Sequence, residues 1–318
     1  VIDSSHVHFT HHKTISKREN GKPLPLRVTT KITPSGFEGT FQPNAAVAPT
    51  GEGATNVKKT ERSTKYMAPG YMHHRVRSTG DDGSFDTGFE TWTVAYATPS
   101  GPGRCRLFAR FPFRFPKPKR GPNFSRFIIQ RLPDWLQHLG QLRVLDDDNI
   151  FLPMQERRVQ DVGGWRRYVM PATSDNFVRA YRRWYDRAGD VPHAPWAVDE
   201  HRAKAPSKEE LLDRKAQHTA HCKSCSGALR NAERLQQVCR LALFFGCAVL
   251  PTLLFRMPVR PTIALVAAQL AIAKVWQLAA SVETGLTSGL ASYPPPRNQK
   301  AGRGKGRELR TVEQGRRF

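Results

Sequence analysis

Between residues 25 and 115 apolar and polar positions alternate in short runs, PLRVTTKIT, GFEGTFQP, FETWTVAYATP and RCRLFARFPFRF, set apart by clusters of Gly, Pro, Asn and Asp. A period of two sends alternate side chains to opposite faces of a strand, so these runs predict an antiparallel sheet. The stretch from Pro43 to Arg77, rich in Gly, Thr, Lys and His, is the least regular and predicts a loop. Farther on the period lengthens. Helices are predicted over 123–138, broken near Pro133, over 144–158, and over 174–187, where Ser174 or Asp175 can cap and Phe177, Tyr181 and Trp184 share one face. Strands first and helices afterwards is the order of an α+β domain.

The pattern changes again at 238–282, where two long apolar runs, VCRLALFFGCAVLPTLLF and TIALVAAQLAIAKVWQLAASV, flank the turn RMPVRP. About 20 apolar residues span a hydrocarbon core, so the block predicts a two-helix membrane hairpin, with a buried soluble hairpin as the alternative. Arg240 sits where it can snorkel, and Lys274 can reach an interface in a tilted helix. The following segment carries eight Lys and Arg against two Glu among Pro and Gly, the composition of a disordered tail held near lipid head groups. The division expected is a catalytic domain over 1–200, a C-x-x-C-containing linker over 201–237, the hairpin over 238–282 and the basic tail over 283–318.

Composition adds a constraint and a rival. The 318 residues are 39% hydrophobic and 24% charged, which excludes wholesale disorder. The net charge of +23 first suggests nucleic acid or an anionic membrane surface, and the run Arg104–Arg120, with seven Lys and Arg and no acid, adds to it. A basic membrane-anchored scaffold or organellar RNA-associated protein is therefore the reading from another class. Five Cys, at 105, 222, 225, 239 and 247, make no disulfide framework.

Three constellations can carry chemistry. The sequence opens Val1-Ile-Asp3-Ser-Ser-His6-Val-His8-Phe-Thr-His11-His12, with His6 and His11 close to one helical face and Asp3 three residues ahead of His6. Two His and one carboxylate hold non-haem Fe(II) with positions left open, so a third ligand is required, and the run Asp146-Asp147-Asp148 is the candidate. A solvated helix face is the plainer explanation of that run. The third constellation is Cys222-Lys-Ser-Cys225 behind His218 and His221. Thiol–disulfide exchange ranks first for it, since cationic neighbours lower a thiol pKa. Half of a zinc site ranks below, because His218 and His221 would make cramped partners; two structural thiols are the third possibility.

Taken together these segments resemble the C-terminal, catalytic part of the pheophorbide a oxygenase group of plant and algal Rieske-type oxygenases. Asp3, His6 and His11 satisfy the D-x2-H-x4-H iron motif of that group, and DSSHVHFTHH is similar to its D-P-S-H-V-P-F-x-H-H stretch. Gly101–Arg110 resembles its P-G-x-x-R segment. Leu152, Gln155 and the following Arg157-Arg158 resemble its E-D-x-x-x-L-x-x-Q-x-R helix, and Met170–Asp175 with Arg182–Trp184 resembles its L-P-T-S-S-D…F-R-x-W. A C-x-x-C ahead of a C-terminal helix pair is shared by two of its branches. Ser4 and His8 stand where Pro is usual.

The resemblance implies a helix-grip-like α+β catalytic domain in which His6, His11 and Asp148 hold Fe(II), with Asp147 as runner-up. Asp3 would be the carboxylate bridging to a neighbouring subunit in a trimer. It implies ferredoxin as electron donor, a [2Fe–2S] cluster, dioxygen and a chlorin-type tetrapyrrole, and a thylakoid or inner-envelope chloroplast membrane. A Rieske cluster takes two Cys and two His, and neither C-x-H nor C-x-x-H occurs, so its domain is expected ahead of Val1. Opening of the pheophorbide a macrocycle is the first activity implied; oxygenation of chlorophyllide, protochlorophyllide or a phyllobilin uses the same iron site. Cys222 and Cys225 would answer to thioredoxin, and no specific nucleic acid is expected. Phe37, Phe41, Trp92, Phe108, Phe111 and Phe113 are candidates for a tetrapyrrole cavity, although core packing is their commoner role.

Overall fold

A computed structural model describes residues 3, 6–21, 24–41, 59–101, 104–116, 124–187, 206–254 and 258–290. Seven strands form one antiparallel sheet: β1 (Leu26–Val28), β2 (Gly36–Phe41), β3 (Thr60–Met67), β4 (Tyr71–Ser78), β5 (Glu90–Gly101), β6 (Arg104–Arg110) and β7 (Phe113–Arg114). The first six lie side by side in chain order, and β7 pairs back onto β5. Each of the first six strands is thus bonded to its neighbour in sequence, the arrangement that short connections favour.

All four runs predicted as strands lie on strands; over β1 to β5 alternate positions sort the sheet into two faces, whereas β6 and β7 are almost wholly exposed. Phe37 pairs with Tyr66, Tyr66 with Met72 and Met72 with Ala95. All four are buried. Across this face lies α4 (Asn176–Arg187), whose Phe177, Ala180 and Trp184 fall at helical spacing on one side and complete the core. Trp184 Nε1 donates to the Pro34 carbonyl at 3.1 Å and Asn176 Nδ2 to that of Leu26 at 2.6 Å, so the helix is located by directed bonds as well as by burial.

The loop expected over 43–77 is overturned in its second half. Residues 42–58 lie outside the described residues, but β3 and β4 make a long hairpin with Thr64 opposite His74. Their inward positions mix Thr64, Tyr66, Met72 and His74 and half of their outward ones are charged, so no clean apolar alternation announces them. The tetrapyrrole cavity is not assembled from the proposed aromatics either. Phe37 is core, Trp92 projects from the opposite face beneath the Arg75 guanidinium at 4.8 Å, and Phe108 and Phe113 are exposed.

Three of the helices run beyond their predicted bounds. A short α1 (Val7–Thr10) stands near the start; α2 (Phe124–Arg131) stops before Pro133 as expected; α3 (Asp134–Asp161) then runs unbroken through 28 residues. Gly140 and Pro153 each weaken a helix, yet neither ends it. After α5 (Lys208–Leu211) and α6 (Arg214–Gln217) come α7 (Lys223–Leu254) and α8 (Val259–Thr287), which pack against each other. The pair has a polar base and an apolar end. At the base Gln236 donates to Glu283, and Leu286 is fully buried with Cys225 and Leu229 against Trp135 and Leu139 of α3. Farther out, Leu241, Phe244, Phe245, Ile263 and Leu270 are exposed. Among the described residues one helix, over Pro261–Thr287, is long and apolar enough to cross a membrane by length and composition. Helix α8 runs to Thr287, into the segment read as tail, and 291–318 lie outside the described residues.

Candidate metal centre

His6 and His11 bracket α1, one immediately before its first residue and one immediately after its last. A single helical turn between them brings the rings together, with centroids 5.2 Å apart and planes at 68°. Facing them is α3, where three consecutive aspartates point in three directions, since successive residues on a helix are turned by about 100°.

Each aspartate has its own partner. Asp148 Oδ1 lies 3.6 Å from His6 Nε2 and 3.6 Å from His11 Nε2. Asp147 Oδ2 accepts from His11 Nδ1 at 3.3 Å. Asp146 turns away to Arg214, whose Nε and Nη2 donate to Oδ2 at 2.9 and 2.5 Å while Nη1 donates to the Gly285 carbonyl at 2.6 Å. Gly289 passes so close to the Asp146 carboxylate that a Cβ there would meet it at 2.4 Å, which explains a glycine at that position.

The tautomers follow from these bonds. A carbonyl or carboxylate oxygen only accepts, so His6 Nδ1 donates to the Asp3 main-chain carbonyl and His11 Nδ1 donates to Asp147. Both imidazoles then turn an Nε2 lone pair toward Asp148. This is how oxygen partners fix a histidine for a metal, and the three ligand atoms lie within 4.8 Å of one another. Burial pushes the His6 imidazole below its ordinary value, which keeps it neutral and able to donate its lone pair. Asp146 moves the other way: burial raises its carboxyl despite the bonds and charge of Arg214.

Burial separates the parts. His11 and the Asp147 side chain are 3% and 4% exposed, whereas Asp148 and His6 keep 29% and 23%. The orienting pair is sealed and the converging carboxylate is open on one side. Asp3 offers His6 its main-chain carbonyl. His8 turns to Ser16 Oγ at 2.7 Å and His12 Nδ1 accepts from the Arg18 amide, so neither joins the group. A shallow cleft of about 290 Å³ lined by Arg27, Asn176, Arg179 and Arg183 holds none of the three converging residues.

Cys222 and Cys225 are brought together with His138 of α3 and His218, and His221 is not among them. Sequence reasoning paired the cysteines only with histidines close in the chain. His138, more than 80 residues away, carried no local signal. Burial pushes the Cys225 thiol up to about 12, the reverse of what a reactive thiol needs.

Comparison with known proteins places the chain beside one group. A family model described as pheophorbide a oxygenase matches residues 66–165, a span that includes α3 and its three aspartates. Pheophorbide a oxygenase of rice, Oryza sativa subsp. japonica, is 28% identical over 266 residues, covering 78% of this chain and 46% of the relative. Protochlorophyllide-dependent translocon component 52 of Arabidopsis thaliana is 28% identical over 71% of this chain and 38% of its own length. Flavonoid 8-hydroxylase 2 of Ocimum basilicum is 25% identical over 74% of this chain and 44% of its own. The chain spans less than half the length of these relatives. Over the matched span and the relatives taken together, the chain resembles the pheophorbide a oxygenase group.

Proposed function

We propose that this chain is the iron-binding catalytic portion of a Rieske-type oxygenase that acts, with dioxygen, on a chlorophyll-derived tetrapyrrole in a chloroplast membrane. The observation that carries the reading is the pair of Nε2 atoms, each 3.6 Å from Asp148 Oδ1 with its Nδ1 hydrogen held by an oxygen. Two neutral imidazoles and one carboxylate suit Fe(II) and leave positions free. The group's name, and relatives whose names all place them in the chloroplast, support the substrate class and the compartment.

In this reading His6, His11 and Asp148 hold Fe(II), which when bound supplies the activation of dioxygen. The protein's own contribution is positional. The Asp3 carbonyl and Asp147 hold the two imidazoles in the tautomer that presents Nε2, and the Asp146–Arg214 pair fixes the turn of α3 from which Asp148 projects. Asp3 is the carboxylate that couples the centre to a [2Fe–2S] domain of a neighbouring subunit in a trimer, with ferredoxin as the donor. The exposed apolar end of α7 and α8 forms a membrane hairpin. Macrocycle opening of pheophorbide a is the first activity. The hydroxylase named among the relatives favours ring hydroxylation as the second.

The test is iron content after anaerobic loading with Fe(II), in the wild type, His6→Ala and Asp148→Ala. Iron at about one per chain in the wild type and at background in both variants is the outcome expected for a three-residue site. Iron retained in both rejects the triad. Offering pheophorbide a, protochlorophyllide and a flavone in turn to the protein supplied with a [2Fe–2S] domain, ferredoxin and dioxygen then separates opening from hydroxylation by product mass.

A further inference from the structure

A second cluster stands on the same helix and has no part in the iron site. His138 lies in the first third of α3, His218 closes α6, Cys222 immediately precedes α7 and Cys225 lies in its first turn. A spacing of three on a helix puts both sulfurs on one side. His138 Nδ1 is 3.3 Å from His218 Nε2, 3.5 Å from Cys222 Sγ and 3.4 Å from Cys225 Sγ, and Cys225 Sγ is 3.5 Å from His218 Nε2. All four ligand atoms lie within 4.8 Å of one another.

Hydrogen bonding alone does not account for this convergence. One imidazole nitrogen carries either one hydrogen or one lone pair, so His138 Nδ1 satisfies one neighbour and not three. A tetrahedral ion does account for it. With Zn–N near 2.0–2.1 Å and Zn–S near 2.3 Å, the edges of a tetrahedron are about 3.3 Å between nitrogens and about 3.6 Å between nitrogen and sulfur. The observed 3.3 Å and 3.4–3.5 Å fall on those edges. A Rieske cluster does not fit, because it keeps its two His on one iron and its two Cys on the other, which holds nitrogen and sulfur apart.

We propose that His138, His218, Cys222 and Cys225 form a closed four-ligand zinc site that pins α3 to the start of α7. Two thiolates and two neutral imidazoles around a divalent ion give a site of no net charge, suited to a setting where Cys225 is fully buried and Trp135, Leu139 and Leu286 pack alongside. Four protein ligands leave no open position, so the role is structural. Asp148 lies ten residues along α3 from His138, about 15 Å at the helical rise, so the zinc holds one end of the helix whose middle faces His6 and His11.

The chain, purified with Zn(II) in the medium and passed over a chelating resin, is counted for metals. One zinc per chain is expected, lost in Cys225→Ser and His138→Ala and kept in Cys105→Ser and Cys247→Ser. His11→Ala, aimed at the other cluster, keeps its zinc, so failure of the iron reading and failure of this one are distinguishable. Should the ligand variants not fold, the wild type grown on Co(II) decides: the thiolate charge-transfer and intense ligand-field bands of tetrahedral cobalt support the site. A zinc-free wild type in which Cys222 and Cys225 form a disulfide opened by reductant overturns it, as does cobalt that shows six-coordinate oxygen-type bands.

Discussion

Helix α3 carries two clusters of ligand-bearing side chains that differ in every respect that matters to a metal. Near its start His138 meets two sulfurs and a second imidazole, four donors that close around a point. Near its middle Asp148 meets two imidazoles, three donors of nitrogen and oxygen, with the carboxylate partly open to solvent. The closed set suits a soft tetrahedral ion that never exchanges a ligand, and the open set suits Fe(II) with room for a reactant. In the proposed reading one rigid element carries an anchor and a reactive centre, and the first keeps the second in place.

The largest effect that can break this comparison is on metal content. In Asp148→Ala or His11→Ala iron falls to background and zinc stays at its full count, because no residue is shared. Elemental analysis of the same sample for both metals reads it directly. Joint loss of the two metals would mean that the clusters are one cooperative unit, and the contrast between them would go.

Next in size is Arg214→Met. Arg214 is 3% exposed and bonds the Asp146 carboxylate through two of its nitrogens, so the variant leaves a charged group buried without its partner. Breaking such a pair from one side costs about 3–5 kcal/mol, read by urea unfolding, and Arg214→Met with Asp146→Leu recovers much of it. Because Asp146 stands between His138 and Asp148 on α3, the variant also reports whether the two metals respond together when the helix loosens.

A finer test isolates the part played by an orienting residue. Asp147→Asn keeps the size of the side chain and removes its charge from His11 Nδ1. Loss of such a partner lowers metal affinity by about 10–100-fold, so iron affinity, measured by competition with a chromophoric chelator, falls by that factor while zinc is unchanged. Unchanged iron affinity would reduce Asp147 to a packing contact.

The two clusters were unequally legible in the sequence. His6 and His11 are five apart and declare themselves, and the acidic run marks where a carboxylate can come from. Which of Asp146, Asp147 and Asp148 faces the histidines is a matter of helical phase that spacing leaves open; the resemblance selects Asp148, with Asp147 as runner-up, and it is Asp148 Oδ1 that lies 3.6 Å from both rings. Cys222 and Cys225 were equally visible, but their partner His138 sits alone between Gln137 and Leu139 with nothing local to mark it. Packing of α3 on α7 brings it in, a contact between elements far apart in the chain. The same reasoning explains the hairpin of β3 and β4: its inward row mixes Thr64 and His74 with Tyr66 and Met72, so a search for apolar alternation passes over it.

The smallest effect concerns acid, which attacks both clusters by protonating their ligands and so blurs them. A further histidine contributes to acid sensitivity without belonging to either. His74 lies inside β4, bonded through Nδ1 to Thr64 Oγ1 at 2.8 Å and met edge-on by Phe41. Burial, reinforced by the nearby Arg62 guanidinium, lowers its value from 6.5 to about 4. The folded chain therefore keeps His74 neutral through a range in which the unfolded chain protonates it. Between about pH 6.5 and pH 4 the unfolded state binds more protons, so stability falls as the pH falls, by about 1–2 kcal/mol between pH 7 and pH 5. His74→Gln preserves a bonding group for Thr64 and removes the titration, so its unfolding free energy is flatter with pH over this interval by that amount. The measurement belongs on metal-free protein, where His74 acts without the clusters. Subtracting its slope from that of the metal-loaded chain leaves the acid sensitivity that is due to the ligands of α3 and their partners.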